Sequence, residues 1–109
     1  MVDSERFSSI ALALPDAISA PHFDRIAFKV EKKRIFATLH VETKTANLKL
    51  SPADQSVFCL IDKNEIYAVP NKWGLQGWTT FELGLVKKPM MLDALDVAYR
   101  EVFKAKGKG

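Results

Sequence analysis

Few side chains in this sequence carry the chemistry that catalysis requires. The reactive groups are His22, His40 and a single cysteine, Cys59, beside scattered carboxylates. Catalysis needs a convergent set of acids, bases or nucleophiles. His22 and Asp24 are spaced so that a strand would project both to one face, but an exposed hairpin histidine explains that pair more simply. Cys59 falls on an amphipathic pattern that suits a buried thiol. We therefore predict that the protein is not an enzyme.

Metal and cofactor binding are not expected either. Two histidines and one cysteine show none of the short spacings typical of zinc ligands. The segment Gly74-Leu75-Gln76-Gly77 holds two glycines. It lies between two predicted strands, however, so no helix dipole is there to bind a phosphate. These glycines are expected to let the backbone turn sharply between Trp73 and Trp78.

Basic side chains remain as candidates for a binding function. Residues 25–34 contain five basic residues and one acidic residue. Lys29, Lys32, Lys33 and Arg34 lie around a predicted hairpin tip, where they can straddle a phosphate backbone. Lys44 marks the tip of the next hairpin, so two cationic wings would flank one sheet face. The predicted nucleic-acid-binding residues are Lys32, Lys33, Arg34, Lys44, Lys72 and Trp73.

The loop 71–78 offers a second interpretation, because it combines hydrogen-bond donors with two large rings. Such rings can stack on bases or on a small planar ligand. Alternatively, both indoles pack into the core under the loop, and Trp78 is the one more expected there. The alternative function is therefore a small-molecule or protein-binding module whose ligand-binding residues are Asn71, Trp73 and Trp78.

Hydrophobic periodicity predicts the elements that must position these residues. A first helix over 3–14 is followed by four strands near 17–22, 26–30, 34–41 and 46–50. Ser51 and Pro52 begin a second helix that runs to about residue 61. Two strands follow, over 66–69 and 78–83. The third helix begins after Pro89, and its spacing predicts that it buries Leu92, Leu95, Tyr99 and Val102 against the sheet.

Length and composition indicate one globular unit. The 109 residues are 48% hydrophobic and 27% charged, which suits a single core. We predict a domain over 1–103 and a flexible basic tail over 104–109. No apolar run approaches the ~18 residues that span a bilayer, and the first residues do not form a signal peptide. A cytoplasmic protein without a membrane partner is therefore expected.

Net charge does not favour a polyanionic partner. The formal charge is +3, and the three lysines of the tail supply all of it. Residues 1–103 contain 13 basic and 13 acidic residues. A domain of zero net charge must therefore gather its cations on one face to bind nucleic acid.

Several segments in series resemble the MmcQ/YjbR family across almost the whole chain. They are Leu12-Ala13-Leu14-Pro15, Phe28-Lys29-Val30, Arg34-Ile35-Phe36-Ala37, Leu48-Lys49-Leu50-Ser51-Pro52, Val69-Pro70-Asn71-Lys72-Trp73-Gly74, Gly77-Trp78 and Ala98-Tyr99. The resemblance implies an α+β, CyaY-like (frataxin-like) fold, in which a curved antiparallel sheet has helices on one side. The expected order is one helix, four strands, a helix, two strands and a helix.

The same resemblance implies a double-wing motif for DNA binding, so we expect a sequence-tolerant DNA-binding domain. Lys32-Lys33-Arg34 makes the second hairpin more basic than the glycine-rich turn typical of the family. The frataxin-like fold also suggests iron binding as a function, which frataxins achieve with an acidic first helix. Here that helix offers only Asp3 and Glu5, which disfavours iron.

Overall fold

The computed structural model describes residues 2–104, which form a six-stranded antiparallel sheet and four helices. The chain runs α1 (Ser4–Leu12), β1 (Ala17–His22), β2 (Arg25–Val30), β3 (Ile35–His40), β4 (Thr45–Lys49), α2 (Pro52–Cys59), β5 (Ile66–Ala68), α3 (Lys72–Leu75), β6 (Trp78–Glu82) and α4 (Lys88–Lys104). The strands lie in the order β1-β2-β3-β4-β6-β5. No helix in residues 2–104 is both long and apolar enough to cross a membrane.

The α+β class and the open antiparallel sheet of six strands agree with the sequence prediction, but the number of helices does not. The structure has a fourth helix, α3, inside the loop that was predicted to be irregular. Asn71 caps it by accepting a hydrogen bond from the Trp73 amide at 2.8 Å. A four-residue helix has no hydrophobic period to detect, which is why the pattern missed it. Apart from the backbone of Lys104, the predicted tail lies outside the described residues.

Local chemistry explains where the longer elements begin and turn. The Asp3 carboxylate accepts from the Arg6 amide at 2.7 Å and caps α1. Ser51 caps α2 in the same way, as the sequence predicted. The β2–β3 and β3–β4 turns place Lys32 (φ 67°) and Lys44 (φ 58°) in the left-handed region that favours glycine. The basic hairpin tip is thus built without a glycine.

Three aromatic pairs fasten three helices to the same face of the sheet. The ring centroids of Phe7 in α1 and Phe28 in β2 lie 5.7 Å apart, edge to face. Phe58 in α2 meets Phe81 in β6 at 6.0 Å, and Tyr99 in α4 meets Phe36 in β3 at 5.8 Å. Edge-to-face pairs of this kind add to the free energy of apolar burial. The opposite face of the sheet is therefore not covered by α1, α2 or α4.

The buried stripe of α4 differs from the predicted one at one position. Leu95, Tyr99 and Val102 are buried as predicted, whereas Leu92 is 43% exposed. Met91 and Ala94 lie in the core instead. The buried residues of α4 are at positions 91, 94, 95, 98 and 102. Leu92 lies at the edge of the helix face that they form.

Candidate functional site

Strand pairing places small side chains next to one another across the middle of the open face, by which we mean the sheet face opposite α1, α2 and α4. Successive register partners there are Ala20, Ala27, Thr38, Asn47 and Thr80. Ala27, Thr38 and Thr80 are buried, although α1, α2 and α4 lie on the other face of the sheet. Larger side chains on both sides must therefore shield them. This row forms the floor of a depression that we call the trough.

The rows on either side of the floor carry the charges. All charged residues within the strands, Arg25, Lys29, Lys49 and Glu82, lie on the open face. Alternation explains this, because the other face of each strand is buried against helices and must be apolar. Three of these four side chains are cationic, so the strands themselves give the trough a positive character.

A cavity of about 620 Å³ lies along one side of the trough floor, toward the 31–34 hairpin tip. We call it the cationic cavity, since four cations and one carboxylate line it: Lys29, Lys33, Arg34, Lys49 and Glu101. The indoles of Trp73 and Trp78 also line it. The combination can bind an anionic group together with a planar ring.

The ammonium of Lys49 is held in place by backbone carbonyls. Its Nζ donates to the Gln76 oxygen at 2.7 Å and to the Leu50 oxygen at 3.0 Å. Burial is the main cause that lowers the pKa of Lys49 below its usual value. The positive charge of Arg34 lowers that pKa further, while the carboxylate of Glu101 acts in the opposite direction.

A second cation of the cavity is positioned by α4. The Nζ of Lys33 lies 5.2 Å from the centroid of the Phe103 ring, within cation–π range. Phe103 in turn stacks on Tyr99 at 5.7 Å, with an angle of 18° between the ring planes. The C-terminal part of α4 therefore supports the hairpin tip, and Arg34 extends from that tip as an exposed guanidinium.

Two glycines let the loop between β5 and β6 approach the sheet closely. A Cβ at Gly74 would lie 1.9 Å from the Val69 oxygen, and one at Gly77 would lie 1.8 Å from the Leu50 oxygen. Gly77 also has a φ of 109°, which side chains rarely adopt. The amide of Gln55 donates to the backbone oxygens of Gly74 and Trp78 and fixes the loop from α2.

This loop presents one indole to solvent and lays the other along the trough. Trp73 is 54% exposed at the mouth of the cationic cavity. Trp78 is half-buried, and its register places it on the open face with Thr80 and Glu82. The expectation that Trp78 belongs to the core was therefore wrong, because β6 turns its helix-facing positions, Thr79 and Phe81, to the core instead.

The trough continues into a second cavity of about 520 Å³ that shares both indoles. Ile35 and Val69 make much of its lining apolar, and Arg25, Thr38 and Asn47 add one cation, one hydroxyl and one amide. Beyond it, the Tyr67 hydroxyl donates to the Glu82 carboxylate. This hydrogen bond raises the pKa of Tyr67 to about 12. The side of the trough toward the 31–34 tip is thus cationic, whereas the rest of the trough combines hydroxyl and amide groups with Arg25 and Glu82.

The structure gathers some of the predicted site residues and separates others. Lys33, Arg34 and Trp73 line the same cavity. Lys32 lies on the same hairpin tip as Lys33 and Arg34, and Lys72 lies on the same loop as Trp73. Lys44 lies in the β3–β4 turn, at the opposite end of the strands from the 31–34 tip. The two predicted wings therefore stand at opposite ends of the open face. Asn71 lines the second cavity, but its side-chain oxygen is occupied in capping α3.

Lys29 and Lys49 were not among the predicted site residues, although a signal for them was present. Each is a charge inside an apolar strand, between two residues that the structure buries. Strand alternation therefore points both to the open face. Their convergence with Trp73 could not be read from the sequence, because it depends on the order of the strands.

His22 is exposed at the end of β1, as its interpretation as a hairpin histidine predicted, and Asp24 contacts His40. Asp24 lies 2.9 Å from His40 Nε2, and His40 Nδ1 lies 2.6 Å from the Thr43 hydroxyl. The hydrogen bond with His40 is the main cause that lowers the pKa of Asp24. These contacts tie the β1–β2 turn to the β3–β4 turn.

Cys59 is half-buried, and burial raises the pKa of its thiol, which disfavours the reactive thiolate.

Comparison with known proteins places the fold but not the activity. No family model matches the chain, and no curated protein matches it. The fold is similar to that in a crystal structure of Deinococcus radiodurans protein DR2400, described as a DUF419 family-model domain, with a TM-score of 0.82. The likeness covers 96% of this chain and 81% of that chain at 23% sequence identity. DUF419 belongs to the MmcQ/YjbR-like fold family.

Proposed function

We propose that the open face binds single-stranded nucleic acid with little sequence preference, and that the chain is a cytoplasmic member of the MmcQ/YjbR family with a CyaY-like element order. One observation carries the binding proposal. Four cations and one carboxylate surround a cavity whose mouth holds the half-exposed indole of Trp73. Proteins that bind single strands without sequence preference combine a positive groove with aromatic stacking platforms.

The distribution of charge supports the proposal despite the neutral domain. On the open face the charged strand residues are three cations, Arg25, Lys29 and Lys49, and one carboxylate, Glu82. The helices carry both signs, with Arg6, Lys88 and Arg100 among five acidic residues. A local excess of cations attracts a polyanion even when the net charge of the domain is near zero.

The exposed indole favours a single strand over a duplex. In a duplex the faces of the bases are covered by their neighbours, whereas an unpaired base offers a free face for stacking. Trp73 lies between the cationic cavity and the second cavity and lines both. A base on its ring would leave the adjoining phosphate within reach of Lys33 and Arg34.

The test is the affinity of the protein for a labelled oligothymidylate, measured by fluorescence anisotropy across a salt series. Three to four phosphate contacts predict a log–log salt slope of about −2 to −3 for a single strand. Arg34→Gln should reduce the size of that slope by ~0.7, which is the share of one contact. Trp73→Ala should remove ~1–3 kcal/mol of stacking, about 5-fold to 150-fold in Kd, and Trp73→Phe should keep most of it.

Lys87→Gln is the matched control, since it removes one exposed cation that lines none of the cavities of the open face. A chain ending at Phe103 must be measured beside the full chain, because the three tail lysines bind polyanions weakly by themselves. Binding that disappears with the tail, or that Arg34→Gln leaves unchanged, would refute the proposal.

The alternative, a small-molecule or protein ligand on the 71–78 loop, rests on the size of the two cavities. Volumes of about 620 and 520 Å³ fall in the range of small-ligand sites. The length of the strand separates the two functions. Affinity that increases from a mononucleotide to an oligonucleotide supports nucleic acid, whereas affinity that is complete with the mononucleotide supports a small-molecule site.

A further inference from the structure

Resting on the proposed function, we propose that the cationic cavity binds the terminal phosphate monoester of a nucleic-acid strand, so that the protein prefers strands with a phosphorylated end. Internal phosphodiesters would then lie along the rest of the trough. The proposal concerns the residues that line the cavity at the hairpin tip, Lys29, Lys33, Arg34, Lys49 and Glu101.

The charge of the cavity matches a monoester better than a diester. Four cations against one carboxylate leave an excess of three positive charges around a single concavity. An internal phosphodiester carries one negative charge, whereas a phosphate monoester carries about −1.5 to −2 near neutral pH and has three free acceptor oxygens. A monoester therefore compensates more of the mutual repulsion between these cations.

Two of the cations are held in place before any ligand arrives. Lys49 is fixed by the carbonyls of Gln76 and Leu50, and Lys33 lies over the ring of Phe103. Ordinary surface lysines lose side-chain entropy when they bind an anion, and positioning them in advance lowers that cost. Arg34 adds a guanidinium whose planar fork can bind two phosphate oxygens at once. These features distinguish the cavity from a chance cluster of exposed lysines.

The position of the cavity fits the end of a strand. Both cavities share His22, Ile35 and the two indoles, whereas Glu101 and Val102 of α4 line only the cationic one. On the side away from the second cavity, α4 and the hairpin tip therefore form the wall of the cationic cavity. A strand that lies in the trough with a base on Trp73 would terminate against this wall, with its end phosphate among the cations.

The experiment compares three oligothymidylates of equal length, one with a 5′-phosphate, one with a 3′-phosphate and one with neither, bound to the full chain. One phosphorylated strand should bind about 10-fold more tightly than the unphosphorylated strand, the effect of an added charge-assisted hydrogen bond. That advantage should shrink when the pH is lowered below ~6, where the monoester takes up its second proton. Lys33→Gln and Arg34→Gln should reduce the advantage, and Lys87→Gln should keep it. Lys33 and Arg34 lie outside the buried core, so their substitution leaves the fold intact.

Each contrary outcome has a separate meaning. Equal affinity for all three strands overturns the end-binding proposal and leaves the proposed function standing. Absence of binding to every strand overturns both. Inorganic phosphate and thymidine monophosphate serve as competitors. The unlabelled phosphorylated strand is the reference competitor. If inorganic phosphate or thymidine monophosphate displaces the labelled strand at the same concentration as this reference, the cavity recognises a free phosphate compound and the assignment to strand ends is overturned.

Discussion

Gly77→Ala is expected to destabilise the protein by about 3 kcal/mol or more and to abolish binding in the trough. Gly77 has a φ of 109°, and a Cβ there would lie 1.8 Å from the Leu50 carbonyl oxygen. The backbone conformation alone costs ~1–3 kcal/mol for a residue with a side chain, and overpacking adds ~1–3 kcal/mol. The atoms in the way belong to the backbone of the segment that leads from β4 into α2, so they cannot move aside cheaply.

The effect should extend to the site because Gly77 joins the loop to the sheet. Its carbonyl accepts hydrogen bonds from the Leu50 amide at 3.1 Å and from the Thr79 hydroxyl at 2.9 Å. The preceding residue, Gln76, supplies a carbonyl that holds Lys49. A shift of this segment therefore displaces both Trp78 and the ammonium of Lys49 from the cationic cavity.

Gly84→Ala is the matched control for this prediction. A Cβ at Gly84 meets no atom within 4 Å, and its φ lies outside the left-handed region. Alanine there should be neutral or should stabilise the fold by ~0.4–1 kcal/mol, since it restricts the unfolded chain. The measurement is chemical denaturation of both variants, with oligonucleotide affinity as a second readout. Similar midpoints for the two variants would show that the loop does not need its close approach to the sheet.

Leu95→Ala is expected to cost ~2–5 kcal/mol of stability through lost apolar burial and the cavity that remains. Leu95 is 1% exposed and lies in the buried stripe of α4 that packs against β3 and β4. The same helix supports the hairpin tip through Tyr99 and Phe103. Loosening α4 should therefore also weaken binding at the cationic cavity.

Leu92→Ala provides the comparison within the same helix. Leu92 is 43% exposed, and surface substitutions usually change stability by less than ~0.5 kcal/mol. A partly buried leucine should exceed that value only slightly. Thermal and denaturant unfolding of both variants measures the difference. Equal losses of stability in the two variants would mean that the packing face of α4 has been assigned to the wrong side of the helix.

The sequence predicted the sheet well because strand alternation and turn chemistry are local signals. The six strands are found within about one residue of their predicted bounds, and Ser51 begins α2 as expected. The errors arose where the signal is short or depends on packing. α3 is too short to show a period, and the exact stripe of α4 depends on how that helix rotates against Phe36 and Leu48.

The site was predicted only in part, for reasons of topology. Lys33 and Arg34 are adjacent in sequence, so the sequence predicted their cluster. The composition of the loop that carries Trp73 also indicated a binding segment. The contribution of Lys49 depends on β4 pairing with β6, and that of Glu101 depends on where α4 ends. Such contacts join residues far apart in the chain. Lys44 was grouped with the basic tip on one sheet face, although consecutive turns of an antiparallel meander lie at opposite ends of the strands, as the predicted strand order already implied.

The central claim, that the open face binds nucleic acid, is tested most directly by NMR titration of the isotope-labelled full chain with an unlabelled oligothymidylate. The predicted result is a set of shift changes confined to the trough and the loop, including the amides of Thr38 and Asn47 and the indole N–H groups of Trp73 and Trp78. Signals from the outer face of α4, such as those of Asp93 and Asp96, should stay in place. Shift changes confined to residues 104–109, or centred on the helices while the trough signals do not move, would contradict the account.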